Sequence, residues 1–589
     1  MESTLKAKQS ISKWCKGAAF ALPLAVTGLP AHAGGARTIW VDTATKAFLT
    51  SNQQRAFAAS PQMEATSGEP AHIVLSMKAN NFDKLRDLAR AVTQRAAGDH
   101  QQRLTRQEFL DRFAPTPNQI ERVTEYLRQN GFVDIKVSDN RMLISADGTV
   151  GTVKRAFNTP IVHFQKNGRM MYANAATAQV PEDVGDSVLA VLGLQNVTRA
   201  HTMAITGPRT QATTLANGVA KGHYPTEFSA IYGADSLPNA SKTAVGIITI
   251  GGATQATSDL AQFTSANNLS PVNVSTVKTG DSKGNYDDDP GGQVEWDLDS
   301  QDILGAAGGA VQQLIFYAAD MNASGNTGLT QAFNQAVTDN IAKVINVSLG
   351  WCEADAYSDG TMAAEDQIFT VAVAQGQTFS VSSGDEGVYE CNNRGNPDGS
   401  TYSLSWPASS PNVIAVGGTT LYTRANNAFA SETVWNEGVD GGGKLWASTG
   451  GFSSFEPMPV WQRALKVSPR PAGRAVPDIS FDAAQSTGSL IYTSDGIAQV
   501  GGTSLSSPLF VGFWARLESA HSNALGFPAS KLYSAVAATP SLVYDVTSGN
   551  NGYSGYGYNA RPRWDYPTGW GSLRMASLAA YINRHPFTQ

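Results

Sequence analysis

Beyond about residue 220 the chain carries uninterrupted apolar runs, Ala244 to Ile250, Lys343 to Leu349, Thr378 to Ser383 and Val413 to Val416, with helical patterns between them. A strand that wets one face alternates apolar and polar residues; these runs do not alternate, so each is buried on both faces. Such strands belong to a parallel sheet covered by helices, because parallel neighbours need a crossover connection. This part of the chain is therefore α/β. Ligand-binding and reacting groups are expected in the loops at the carboxyl ends of its strands. No internal repeat of useful period offers another architecture.

At 589 residues the chain is too long for one ordinary core. Residues 34–200 carry much of the charge, and the 3.6-residue spacing of Ile120, Val123, Tyr126 and Leu127 predicts a helix over 118–129. Val133 to Val137 and Arg141 to Ser145 alternate like strands, so an α+β domain is expected here. Thr206 to Val219 is rich in Gly, Thr, Ala and Asn and has no apolar period, so residues 201–219 are expected to be a linker open to processing. At the N-terminus Lys6, Lys8, Lys13 and Lys16 precede an apolar run from Ala18 to Leu29 and then Ala31-His32-Ala33. That order predicts an export signal over 1–33, cut after Ala33, and the run falls short of the ~20 residues that span a bilayer as a helix. The expected division is thus an export signal at 1–33, the α+β domain at 34–200, the linker at 201–219 and the large α/β domain at 220–589.

Of the 3 cysteines, Cys15 would leave with the signal, and Cys352 and Cys391 remain as an even pair in an oxidising compartment. A disulfide there would stabilise the chain by about 3 to 4 kcal/mol in the chain-entropy view; two buried thiols are the alternative. A net charge of -6 leaves no basic field to gather phosphates, which excludes nucleic acid as a partner.

Chemistry-bearing residues cluster in a few segments. Gly501-Gly502-Thr503-Ser504-Leu505-Ser506-Ser507-Pro508 leads into an apolar helical run, so Ser504 opens a helix with its hydroxyl near unpaired backbone N–H groups. Read alone, a serine there is as well a simple helix cap. After residue 216 only His223, His521 and His585 remain, none of them following a core strand, so a Ser-His-Asp triad is unavailable. Ser506 also breaks the Gly-x-Ser-x-Gly pattern of lipases and esterases.

Glu295 and Asp299 stand at i, i+4 on a helical segment and point the same way. If buried, such a pair holds a proton between its members; if exposed, it is a solvated acidic face. Asp385, in Ser382-Ser383-Gly384-Asp385-Glu386-Gly387, follows an apolar strand. Protonated, it could donate to an oxyanion; otherwise it is a turn aspartate. The run Asp287-Asp288-Asp289 is a further acidic cluster without full calcium-loop spacing.

Together and in this order these segments resemble the sedolisin family, the serine-carboxyl peptidases, whose Ser-Glu-Asp site is carried on a subtilisin-like scaffold. The resemblance implies Ser504 as nucleophile, Glu295 as general base, Asp299 as its support and Asp385 as the oxyanion-hole acid. Residues 34–200 resemble the family's pro-kumamolisin activation domain through Leu104-Thr105, Phe113-Ala114-Pro115 and Val153 to Phe157. That likeness implies a ferredoxin-like prodomain that assists folding, blocks the cleft and is released by self-cleavage in acid, with the mature chain starting near Ala216.

The family also implies one structural calcium ion held by Asp545, Val546, Arg561, Arg563 and Asp565. Here Arg561 and Arg563 stand where the family has glycines. Arginine offers the backbone carbonyl but is not expected at the positive φ that glycine permits, and its charge must turn away from a cation. Glu386, Arg394, Trp296 and Trp351 lie near the motifs as candidates to line the cleft. The expectation is a secreted, acid-active serine endopeptidase made as a self-processing zymogen. It acts on proteins or peptides as a monomer, with its own prodomain as inhibitor and neither nucleic acid nor membrane as partner.

Overall fold

Capping chemistry and apolar periodicity set the first layer. The computed structural model describes residues 38–48, 63–94, 103–166, 168–280, 283–391 and 402–585; the expected signal at 1–33 and Arg394 lie outside the described residues. Strands β1 (Pro70–Met77), β2 (Val133–Val137), β3 (Leu143–Thr149) and β4 (Val188–Leu192) form an antiparallel sheet in the order β2-β3-β1-β4. With helices α1 (Phe82–Gln94), α2 (Pro117–Gln129) and α3 (Val150–Phe157) this is the ferredoxin-like arrangement. Helix α2 starts where Thr116 and Gln119 cap one another and Pro117 takes the first turn, whose N–H groups have no helical partner. Its Val123 and Leu127 meet Ile73, Leu75, Ile144 and Phe157 in one apolar cluster.

Residues 201–220 carry four short strands rather than an unstructured linker: β5 (His201–Thr202), β6 (Ile205–Gly207) and a hairpin of β7 (Thr213–Leu215) and β8 (Gly218–Ala220). Backbone pairing holds them, and backbone pairing leaves no side-chain period to read.

The large sheet follows. Strand β9 (Ala240–Ile250) leads to α4 (Thr254–Ala266) and β10 (Val274–Lys278), then α5 (Gln293–Ala306) and β11 (Val311–Ala319). After these come β12 (Val344–Val347), β13 (Leu349–Cys352), α6 (Thr361–Gln375), β14 (Thr378–Ser382), β15 (Ile414–Thr423), β16 (Ile479–Asp482), β17 (Gly496–Gly501) and α7 (Thr503–Ala520). Strands β10-β11-β9-β12-β14-β15-β16 run parallel in that order, the subtilisin-like α/β sheet, and β8 adds antiparallel to β15. The run from Lys343 is broken at Ser348, where the chain leaves the sheet and β13 begins.

Helices α5 and α7 pack against one another over β9. Their close approach needs Gly512, where a Cβ would stand 2.5 Å from the Ile303 carbonyl and from the Ala306 methyl. Cys352 and Cys391 are joined in a disulfide, tying the end of β13 to the loop after β14.

Trp40–Gln589 is one unit, and its two sheets share a core: Leu85, Leu88, Val92, Phe109 and Phe113 of the N-terminal domain lie in the same apolar cluster as Ile368 and Phe369 of α6. Buried hydrogen bonds cross the same boundary. Gln367 accepts from Ala79 N at 3.0 Å, and Gln195 donates to Asp359 at 2.9 Å. Among the described residues no helix is long and apolar enough to cross a membrane.

Candidate active site

Four segments distant in sequence converge at the carboxyl end of the parallel sheet. Helix α7 opens after Gly502, whose φ of +98° is glycine's territory, and a Cβ there would strike the Met203 carbonyl oxygen. Thr503, the first helical residue, donates to Asp385 Oδ1 from its backbone N at 2.8 Å and from its hydroxyl at 2.6 Å. Ser504 follows in the first turn, fully buried, between Thr503, whose N–H is taken by Asp385, and Leu505, whose N–H is taken by the Gly502 carbonyl.

The acids of α5 are sealed in. Glu295, Asp297, Asp299 and Asp302 are each at most 1 % exposed, so the solvated-face alternative does not hold. Asp299 accepts from the Ser348 hydroxyl at 2.6 Å, Ser348 from the Asn346 amide at 2.9 Å, and Asn346 from the Ser507 hydroxyl at 2.7 Å. That chain ties α5 through the end of β12 to α7 and fixes Asp299 beside Glu295. Asn346, Val347 and Ser348 are fully buried inside this network.

Glu295 faces Ser504. Burial pushes its pKa well above the usual carboxylate range, the Asp299 charge adds to the rise, and the nearby Ser504 hydroxyl and Ala204 amide pull the other way. Neither of those two groups yet closes a hydrogen bond of ordinary geometry on Glu295, as is common before a reacting complex tightens. Asp299 is also raised by burial, opposed by Ser348 and Asn346. Two buried carboxyls at i, i+4 that raise one another's cost of ionising favour a state in which the pair retains a proton. Asp385 is pushed up to about 7 by burial, against the Thr503 hydrogen bonds. With Oδ1 held by Thr503, the buried Oδ2 is the oxygen left to carry that proton.

The histidines stand elsewhere. His223 is buried with Nδ1 3.2 Å from Glu227, His521 ends α7, and exposed His585 contacts Tyr581 O at 3.3 Å.

The sequence reading missed what covers the site. Strand β5 pairs antiparallel with β13, His201 opposite Gly350 and Thr202 opposite Leu349. Strand β6 pairs antiparallel with β17, Ile205 opposite Gly501 and Thr206 opposite Val500. Met203 and Ala204 bridge the two pairings directly over Gly502 and Glu295. The β-forming residues Thr202, Ile205 and Thr206 were the only cue. Thr503, Ser348, Asn346 and Ser507 were also missed, since their roles arise from contacts between remote segments. Of the cleft candidates, Glu386 lies 3.0 Å from Lys444 Nζ and 3.8 Å from His201 Nε2, whereas Trp296 and Trp351 are core residues.

The proposed metal ligands come together near the C-terminus. Asp545 accepts from Arg563 N at 2.8 Å, and Asp565 accepts from Arg561 N at 2.7 Å. Burial raises the Asp565 pKa to about 7, and the Asp545 charge adds to it, a strain that a cation would relieve. Contrary to expectation, Arg563 does take a left-handed φ, +73°. Its guanidinium is held by the Ala537 carbonyl at 2.8 Å, and its charge still acts on Asp545, opposing the rise that burial gives that carboxyl. Two carboxylates are thus brought close enough to act on one another, and hard oxygen ligands of that kind suit a cation such as calcium. Asp288 of the rival acidic run instead caps α4, accepting from Thr254 N and Gln255 N at 2.8 Å each.

Residues 59–197 match the family Pro-kumamolisin, activation domain, and residues 299–571 match the Subtilase family. Over 582 residues the chain is 62% identical to Sedolisin of Pseudomonas sp. (strain 101), covering 99% of both chains. It is 45% identical to Xanthomonalisin of Xanthomonas sp. (strain T-22), covering 95% of this chain and 74% of that one. Among solved structures, Pseudomonas sedolisin (serine-carboxyl proteinase) complexed with two molecules of pseudo-iodotyrostatin matches with a TM-score of 0.61 and 70% identity, covering 62% of this chain and 99% of that chain.

Proposed function

The chain belongs to the sedolisin family of serine-carboxyl peptidases, and from that premise we propose that Ser504 is its nucleophile, Glu295 the general base, Asp299 the carboxyl supporting Glu295, and Asp385 the oxyanion-hole acid. It is a serine-type endopeptidase made as a zymogen with an activation domain. The observation that carries the residue roles is the buried Glu295–Asp299 pair facing Ser504, with His223, His521 and His585 placed away from it.

In the mechanism the Glu295–Asp299 pair shares one proton, and Glu295 in its ionised microstate takes the Ser504 hydroxyl proton as Oγ attacks the peptide carbonyl carbon. Asp385 donates its proton's hydrogen bond to the developing oxyanion, joined by first-turn N–H groups of α7. Glu295 then hands its proton to the leaving nitrogen, and water resolves the acyl-enzyme by the reverse path. Asp385 serves only while protonated, so activity belongs to the acid side of its pKa of about 7. When the covering segment leaves, water returns to Glu295 and its pKa falls, which moves the working range further into acid.

The test is cleavage of a denatured protein between pH 2 and 9 by the acid-activated chain, beside Ser504→Ala and Glu295→Gln. An acidic optimum lost by at least 10³-fold in both variants is expected; a neutral optimum, or activity surviving in Glu295→Gln, rules the base assignment out. The active form acts outside the cell as a monomer, in keeping with the basic-apolar-small order at 1–33 and the Cys352–Cys391 disulfide. Protein recovered from culture medium should lack residues 1–33.

One structural calcium ion is held by Asp545, Asp565 and the carbonyls of Val546, Arg561 and Arg563. Chelation should lower the melting temperature of the mature enzyme, and Asp545→Asn should abolish that response; a melt indifferent to calcium in the wild type would remove the ion from the account.

A further inference from the structure

Resting on the nucleophile and base assigned above, we propose that Asp302 is a positioning residue of the same reaction: an uncharged carboxyl, one turn beyond Asp299, that locks the base helix to the strand delivering Ser504.

Helix α5 places Glu295, Asp299 and Asp302 at i, i+4 and i+7, the spacing that keeps side chains on one face of a helix. All three are at most 1 % exposed. Glu295 and Asp299 have work in acyl transfer. Asp302 has none there, and a carboxyl is a costly group to seal in a core.

What Asp302 holds is a strand. Its Oδ1 accepts from the Ser489 hydroxyl at 2.9 Å. Ser489 opens the strand Ser489–Thr493, which pairs antiparallel with β17, Ser489 opposite Val500. From Val500 the chain runs through Gly501 and Gly502 straight into Thr503 and Ser504. The preceding residue of α5 grips the same strand near its other end. The Gln301 amide donates to Tyr492 O at 2.7 Å and accepts from Tyr492 N at 2.8 Å. Clasped at Ser489 and at Tyr492, α5 cannot slide or turn against β17 without breaking one of these bonds. The separation of Glu295 from Ser504 is set by that relation, and a misplacement of about 1 Å between reacting groups costs about a hundredfold in rate.

The surroundings require Asp302 to stay neutral. The partner of Oδ1 is an uncharged hydroxyl, and Oδ2 is buried with no hydrogen-bond partner among the described residues. The charges that act on Asp302 are those of Asp299 on α5 and of Asp482 at the end of β16, which is itself acted on by Glu432. Beside Ser489 lies His223, whose backbone bonds to Gly488 and Leu490 and whose Nδ1 stands 3.2 Å from Glu227. An ion sealed among like charges is not sustained. Burial accordingly raises the Asp302 pKa well above the usual carboxylate range, with Asp299 and Asp482 adding to the rise. As a neutral group Asp302 bonds Ser489 without setting a further negative charge beside the Glu295–Asp299 pair, whose own charge the reaction needs.

The experiment uses the acid-activated chain and its Asp302→Leu, Asp302→Asn and Ser489→Ala variants, with kcat and KM for a peptide substrate measured separately between about pH 2 and 7. Leucine fills the space but accepts no hydrogen bond, so Asp302→Leu should lower kcat by about tenfold or more with KM within about twofold. Asparagine accepts from Ser489 and is neutral at every pH, so Asp302→Asn should restore kcat to within about threefold of the wild type. It should also leave in place the acid limb of kcat/KM, where Glu295 must ionise to act as base. An acid limb displaced downward by about one pH unit in Asp302→Asn would mean that a charge had been removed from beside the pair, and overturns the neutral carboxyl. An Asp302→Leu enzyme with full kcat overturns the positioning role. If Asp302→Leu yields no folded protein, Ser489→Ala, which removes only the donor, must lower kcat with KM unchanged for the role to stand. Glu295→Gln run alongside separates the two levels: activity surviving in it removes the base assignment itself, whatever the Asp302 variants do.

Discussion

The activation domain keeps its responsive carboxylates at the surface and hydrogen-bonded, whereas the catalytic domain seals its own in the core. Glu69 accepts from Thr66 N at 2.8 Å and lies 2.6 Å from His163 Nε2, and with the Thr66 hydroxyl leading, these contacts lower its pKa from 4.5 to about 2. Glu108, capping a short helix through Thr105, is lowered in the same way. In the catalytic domain burial dominates. Glu365, bonded by Thr330 and Trp406 at 2.6 Å each, is pushed up to about 8, Asp482 also to about 8, and Glu432 to about 7.

The signs are opposite. A depressed carboxylate such as Glu69 adds stability above its unfolded value of 4.5 that is lost as pH falls toward 2. A raised one such as Glu365 adds stability that is complete below 4.5 and lost as pH rises through about 8. On these signs acid weakens the Glu69 contacts of the activation domain while it favours the protonated form of the buried acids in the catalytic domain.

The largest expected effect breaks or upholds that contrast directly. Between pH 4 and pH 8 the melting temperature of the mature enzyme should fall by about 10 °C or more, because several buried acids lose protons in that window. Glu365→Gln should recover part of the loss at pH 8, about 1 to 2 kcal/mol, and little at pH 4. A melt flat across the range would mean the buried acids do not titrate as described. The smallest effect sharpens the other half. Glu69→Gln should raise the activation rate at pH 5 by about two- to fivefold and narrow the difference between pH 5 and pH 3, as expected for a surface pair. An unchanged pH dependence would take Glu69 out of the release step.

Much of the scaffold could be read from side chains, because the parallel strands are buried on both faces and Ala244–Ile250 and Thr378–Ser383 show no alternation. The candidate site was legible as motifs in order, with Ser504 at a helix start, Glu295 and Asp299 one turn apart, and Asp385 after a strand. Burial of α5 was not legible, since acidic residues ordinarily face water and nothing local tells Asp299 that Ser348 will reach it. Strand β5 and strand β6 were invisible for a different reason: residues 201–207 are held by backbone ladders, to which composition is blind. Arg563 showed the limit of a residue-type rule, since the surrounding loop and the Ala537 carbonyl hold an arginine where glycine is the easier choice.

The central claim is that a protonated Asp385 stabilises the oxyanion, and the pH dependence of kcat/KM for mature Asp385→Asn beside the wild type tests it most directly. Asparagine donates a hydrogen bond at every pH, so the variant should be slower in acid but should lose the decline that the wild type shows as Asp385 ionises near 7. An Asp385→Asn profile with the same alkaline decline would contradict the claim and assign that titration to another group.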